Sequence, residues 1–438
     1  MSWRTRTTHS RLAQPAKRWR HSGAVLFIGL ALAVAACGTS TSGGGDNTTP
    51  TPTPKPTATA APVPCTDWRI VSSPNSTTHL TSILSAVSAL SPTAAWAVGA
   101  TYSVGDTIGP VDSLIEQWDG SAWHLVANTG HDALTGIAAV APSDIWAVGG
   151  QQYNGVGAGV LTMHWDGTQW SVVPSVQPTD ARSVSLYGVA AIASSDVWAV
   201  GSQWPGADQL TQPLVEHWDG TSWHLVSIPL PQTAAPTRGG SLSAVTRIPG
   251  THQLWAVGGW QEWVSTAPPQ PLIERWDGTT WQIVPSPALP TGAMGGGWNG
   301  VVALSATNAW AVGRYALKNP MDSHPLIAHW DGARWQIVVA SPDVYGALES
   351  VAAAGANDVR AAGSRLTGSG ASSGNGQRVP LIEEWNGRAW QIVTTPELPG
   401  GAISGSLSIA TDGSGNDWVV GSHLTAARAS QTLTLHCP

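Results

Sequence analysis

Four histidines, His164, His217, His329 and His436, occupy one position of a phrase that recurs about every fifty residues, a spacing that invites a metal-binding reading. Four glutamates, Glu116, Glu216, Glu274 and Glu383, recur one position before that slot and invite a carboxylate-pair reading for glycoside hydrolysis. Both chemistries need convergence: metal ligands at about 2 Å from one ion, or two acids roughly 5–10 Å apart. Equivalent positions of successive repeats sit on different structural units, so neither set is expected to converge. Gln117, Arg275 and Glu384 take the histidine slot in other copies, the pattern of a solvent-facing polar position, and the glutamates are expected to be structural. The Asp of each Trp-Asp-Gly reads as turn chemistry. No metal, cofactor or convergent catalytic set is legible.

The repeat itself is what positions these residues. Its core reads Trp-Ala-Val-Gly, a variable stretch, then an apolar pair, Glu, a polar residue, Trp-Asp-Gly and a second Trp. The signature Trp falls at 96, 146, 198, 255 and 310, is replaced by Arg360, and returns at Trp418. The Trp of Trp-Asp-Gly falls at 118, 165, 218, 276, 330 and 385, with Cys437 in the seventh place. The following Trp is at 123, 170, 223, 281, 335 and 390, and its seventh copy stands at the N-terminal end of the array as Trp68. One supersecondary unit repeated at this period signals a propeller or solenoid. The displaced seventh copy decides between them, because a ring closed by a split unit needs that permutation and an open stack does not.

Each repeat holds four strand-like segments. In the third copy these are residues 186–192, 197–201, 214–218 and 223–228, with a tight turn at Asp219-Gly220. With 49 Gly and 32 Pro in the chain, helical windows are interrupted throughout. The first two segments are rich in small residues and the last two carry Trp, which suits a wedge crowded near an axis and splayed at its rim. The expected fold is all-β: a seven-bladed propeller of four-stranded antiparallel blades.

The pattern resembles kelch repeats, in which a Gly doublet ends the second strand, Glu and an aromatic precede Asp in the third, and Trp opens the fourth. Gly149-Gly150, Gly258-Gly259 and Glu216-His217-Trp218-Asp219 through Trp223 carry the resemblance, which spans residues 65–438. It implies a four-stranded blade with the first strand innermost. Galactose oxidase, a copper enzyme on such a scaffold, needs a Tyr cross-linked to Cys, and here the folded region has Cys only at its two ends.

Binding is expected where long loops interrupt the repeat, between second and third strands and between fourth and first, on one face of the disc. Four Trp outside the repeat, Trp204, Trp260, Trp263 and Trp298, are assigned to those loops, the last three as one cluster. Exposed Trp suits stacking on sugars or anchoring a protein, or else covers loop hydrophobics. Arg360 marks a polar pocket or a degenerate repeat, and with Arg314 and Arg365 it forms a candidate anion-accepting patch.

The remaining features place the protein outside the cytoplasm. Residues 1–36 combine six basic residues with an apolar run at 24–36, the pattern of an export signal and too short for a comfortable membrane span. Val34-Ala35-Ala36-Cys37 resembles a lipoprotein lipobox, which implies lipidation of Cys37; ordinary cleavage after Ala35 is the alternative. Residues 37–64 form a Thr/Pro/Gly-rich spacer that cannot bury enough surface to fold. Cys65 and Cys437 then pair under oxidising conditions or stay as two thiols; pairing would stabilise by roughly 5 kcal/mol before strain. Without the signal, 14 basic residues stand against 27 acidic ones, a net charge of −13 that argues against nucleic-acid partners. The expected protein is a monomeric, lipid-anchored, cell-surface binding module for a polysaccharide or a protein. The alternatives are an extracellular glycan-acting enzyme and an architectural envelope protein. Two acids, or an acid with several Arg, at the axis would favour the enzyme; a shallow Trp-lined groove on the loop face with no titratable cluster would favour binding.

Overall fold

A computed structural model describes residues 65, 67–76, 81–102, 111–150, 159–206, 209–231, 238–262, 269–317, 322–338, 343–368, 371, 376–427 and 429–438. The chain divides into two units, Met1–Thr59 and Ala60–Pro438. The expected signal peptide, Cys37 and the spacer lie outside the described residues, and so does Trp263.

Seven four-stranded antiparallel sheets make up the second unit, each in simple chain order except the last. Blade one is Thr81–Ser91, Ala94–Tyr102, Val111–Trp118 and Trp123–Leu125. Blade two is Leu134–Ala141, Asp144–Gly150, Val160–Trp165 and Trp170–Val172. Blade three is Ser183–Ala193, Asp196–Trp204, Gln212–Trp218 and Trp223–Leu225, so its first three strands run longer than the sequence suggests and its fourth is shorter. Blade four is Arg238–Arg247, Leu254–Glu262, Gln270–Trp276 and Trp281–Ile283. Blade five is Gly295–Ser305, Asn308–Ala316, Ser323–Trp330 and Trp335–Ile337; blade six is Gly346–Gly355, Asp358–Thr367, Gln377–Trp385 and Trp390–Val393.

Blade seven takes Ser408–Thr411, Asp417–Leu424 and Ser430–Cys437 from the C-terminal end and Arg69–Val71 from the N-terminal end. Arg69 pairs with His436 and Val71 with Thr434, so the ring closes through a split blade. Thr434 Oγ1 donates to the Val71 carbonyl at 2.6 Å, and Thr432 N donates to Asn75 Oδ1 at 2.9 Å. The Cys65–Cys437 disulfide spans the same seam with Cα atoms 6.2 Å apart.

Second strands are buried almost end to end, because each is sandwiched between two neighbouring sheets. Fourth strands bury their Trp and expose the next two residues, a short edge that gives another chain little to pair with. Between blades the signature Trp of one sheet meets both Trp of the next. Trp146 lies 5.0 Å from Trp218 and 5.4 Å from Trp223, and Trp198 lies 4.7 Å from Trp276 and 5.7 Å from Trp281. Trp418 closes the ring onto blade one, 4.8 Å from Trp118 and 4.9 Å from Trp123. Six of the seven junctions carry such a triad. In the seventh, between blades six and seven, Arg360, Cys437 and Trp68 hold the three positions, and the disulfide and an ion cluster fill the space two indoles would take.

Candidate functional site

Each of the first six innermost strands carries a β-bulge at the same place, for example between Leu186 and Gly188 or between Leu348 and Ser350. A bulge inserts one residue and re-aims its side chain. The residues so placed are Ser85, Thr135, Tyr187, Ser243, Asn299 and Glu349, and all six line a cavity of about 630 Å³ at the loop-bearing mouth of the central channel. Just below them Val87, Val189, Val245, Val301, Val351 and Ile409 form an apolar collar that also lines the cavity on the opposite face. In six of the seven blades one varied polar residue therefore faces the mouth above this apolar collar.

Blades five and six charge one side of this mouth. Arg314 and Arg365 leave the ends of their second strands, Arg378 begins the third strand of blade six, and all three line the cavity with Glu349. Arg314 and Arg378 are exposed and Arg365 is half-buried. Glu349 Oε2 accepts a 2.6 Å bond from the Leu407 backbone N–H of blade seven. Burial pushes its carboxyl up to about 7, opposed by that bond, by Ser364 and by the positive fields of Arg378 and Arg314.

Beside the mouth, between blades three and four, a cleft of about 460 Å³ is lined by Tyr187, Trp204, Trp260, Gln261, Thr211 and several Ser and Gly. Among the described residues no charged side chain lines it. Tyr187 belongs to both cavities and bonds Ser202 Oγ through its hydroxyl at 2.9 Å. Trp204 and Trp260 are each half-buried in the last residues of adjacent second strands rather than in the loops to which the sequence assigned them, because those strands run longer than the repeat signature suggests.

Trp298 is elsewhere. It is 1 % exposed in the innermost strand of blade five, opposite Gly313, and packs into the core between blades four and five. Its place is the one held by Leu84, Leu134, Leu186, Leu242 and Leu348, each opposite the Gly of its own signature. Aligning Trp-Asn-Gly-Val with Leu-Tyr-Gly-Val within the repeat would have revealed this; the loop assignment and the three-Trp cluster are corrected accordingly.

Arg360 is also separate from Arg314 and Arg365. It is 4 % exposed and ion-paired to Asp358 at 2.7 Å, Glu384 at 3.1 Å and Asp417 at 2.8 Å. Burial raises the Asp417 carboxyl to about 7 and raises Glu384, each against the pull of the guanidinium. The expected three-arginine patch therefore becomes Arg314 and Arg365 with Arg378, which sequence reading passed over.

The recurrent histidines do not face solvent as expected. His217 stacks on Trp198 at 4.2 Å and donates to Asp196 at 2.9 Å; His164 and His329 repeat the arrangement with Trp146 and Asp144, and with Trp310 and Asn308. Arg275 lies 5.2 Å over the Trp255 ring and donates to Gln253 at 2.6 Å. The slot is thus a polar lid over an indole. Glu116, Glu216, Glu274 and Glu383 are fully buried on four different blades. Burial raises Glu116 and Glu274 to about 8 and Glu216 to about 7.

No family model matches the chain, and no curated protein matches it. Among solved structures, YCF48 bound to a D1 peptide is similar at 14% identity and TM-score 0.47, over 84% of this chain and 96% of that one. A PL25 polysaccharide lyase, an ulvan lyase bound to -[GlcA(1-4)Rha3S]-, is similar at 9% identity and TM-score 0.48, over 80% and 90%. The β-propeller domain of the trilobed protease from Pyrococcus furiosus is similar at 11% identity and TM-score 0.45, over 80% and 92%. At these identities and scores the likenesses carry no argument about ligand or activity.

Proposed function

We propose that this protein is an exported binding module, anchored by lipid at Cys37, whose kelch-like propeller takes a saccharide on its loop-bearing face. The observation that carries the reading is the uncharged aromatic cleft with Tyr187, Trp204 and Trp260 at the mouth of the channel. Indole and phenol faces accept the C–H faces of sugar rings, and the hydroxyls and amide around them supply orienting hydrogen bonds. Rigid strands hold the two Trp, so little ordering entropy opposes binding. The full-length chain should be retained on an insoluble polysaccharide, and Trp204→Ala with Trp260→Ala should reduce retention about ten-fold or more, as expected for aromatic anchors. Retention unchanged in a folded double variant would exclude this cleft. A protein ligand would show as capture by cross-linking on intact cells with no response to any glycan. The mass of the mature N-terminus checks lipidation.

A second reading, an extracellular glycan-acting enzyme, is favoured by one acid among three arginines at the axis. It requires that a bound polysaccharide be shortened on incubation, which gel filtration of the polymer would detect.

A further inference from the structure

We propose that the channel mouth is an anion subsite built by Arg314, Arg365 and Arg378, so that the saccharide entering the neighbouring cleft is acidic, carrying carboxylate or sulfate groups. This deepens the binding reading above and rests on it.

Residues 65–438 hold 13 basic residues, and three of them gather around one cavity from two adjacent blades. Three arginines elsewhere are matched within the fold, Arg69 with Asp67, Arg275 with Gln253 and Arg360 with three carboxylates; what sets the mouth arginines apart is that three of them line one cavity. Among the described residues Arg314, Arg365 and Arg378 have no ion pair and no side-chain hydrogen bond. Glu349, the one carboxyl lining the cavity among the described residues, accepts from the Leu407 N–H of blade seven and makes no ion pair with these arginines, although the fields of Arg378 and Arg314 reach it. Arg365 Nε is buried without a partner, as are those of Arg275 and Arg360, but of these three only Arg365 lines the cavity, where an arriving acceptor would relieve its desolvation cost. A carboxylate or sulfate presents two or more oxygens in the geometry a guanidinium fork recognises.

Placement supports the same ligand. Tyr187 lines both the charged mouth and the uncharged cleft, so one chain can lay a ring on the aromatic surface and turn its acidic group toward the arginines. The collar at Val189, Val245 and Val301 lies just below, keeping charge at the mouth rather than deeper in the channel. Residues 65–438 carry 13 basic against 26 acidic residues, so the domain as a whole repels anions and screening confines the arginines' attraction to this mouth.

The test is calorimetric titration of the full-length chain with two matched pairs: oligogalacturonate against its methyl ester, and dextran sulfate against dextran. The charged member of at least one pair should bind about ten-fold tighter, and which pair responds separates carboxylate from sulfate. Arg314→Gln with Arg378→Gln, both exposed and therefore safe for folding, should abolish that preference, as should Arg365→Gln. Equal binding of charged and neutral members, lost on Trp204→Ala with Trp260→Ala, would overturn the anion subsite and leave the saccharide reading standing. If no polysaccharide binds, inorganic sulfate decides: thermal stabilisation of the wild type but not of the arginine variants sustains the subsite without the saccharide, and no stabilisation overturns it.

Discussion

At the scale of single residues, one pair slot explains most departures from the repeat. The signature residue of the second strand faces the lid residue of the third: Trp146 with His164, Trp198 with His217, Trp255 with Arg275, Trp310 with His329, Trp418 with His436. In blade six the pair is Arg360 with Glu384, so stacked indole and lid are exchanged together for an ion pair. Removing one partner of such a buried pair strands the other charge. Arg360→Ala should therefore lose about 3–5 kcal/mol in urea unfolding. Arg360→Trp with Glu384→His should recover part of that loss.

The buried glutamates set a pH dependence at the same scale. Their folded values lie above the ordinary 4.5, so the folded state holds protons that the unfolded chain releases. Their contribution is fully present below about 4.5 and declines as pH rises toward 7 and 8. The turn aspartates act oppositely. Asp166 and Asp277 accept bonds from Thr hydroxyls and backbone N–H groups that hold them down to about 2, so their contribution is lost as pH falls through that value. The melting temperature should fall between pH 5 and pH 8, and Glu274→Gln should shrink that fall. A flat profile in the wild type would contradict the assignment.

At the scale of the strand, the Gly of Trp-Ala-Val-Gly is required by close approach. A Cβ at Gly201 would fall on the Ser185 carbonyl oxygen and crowd Leu186 Cα, both backbone atoms of the innermost strand. Gly201→Ala should cost about 1–3 kcal/mol by overpacking, read as a lower urea midpoint with an unchanged slope. The turn glycines have a different reason, since Gly120, Gly167 and Gly220 sit at φ near 96° where a side chain is strained. The bulge beside the signature Gly is what delivers Tyr187, Asn299 and Glu349 to the mouth. Strand identity was legible from composition, but the extra residue of a bulge reverses which side of the strand faces the axis. Alternation alone therefore left Glu349 and Tyr187 unmarked.

At the scale of the whole molecule, closure depends on chain ends far apart in sequence, joined by strand pairing and by the Cys65–Cys437 bond. Opening the seam exposes the side of blade seven on which Trp68 packs. Reduction, or Cys437→Ala, should lower stability by about 2–5 kcal/mol. A melting temperature indifferent to reductant would show that the strand exchange alone holds the ring.

The sequence by itself determined the number of blades, the order of their strands, the split closure and the pairing of Cys65 with Cys437 as one of two open readings. Those features are encoded in period, turn residues and the position of Trp68, all of them local or repetitive signals. Only the tertiary structure decided that Trp298 lies in the core, that Arg360 is enclosed by carboxylates, and that Arg378 joins Arg314 and Arg365 at the mouth. Their fates depend on which strand face turns toward the axis and which neighbouring blade closes over it. Curvature and bulges settle both across many tens of residues, and no local pattern records them.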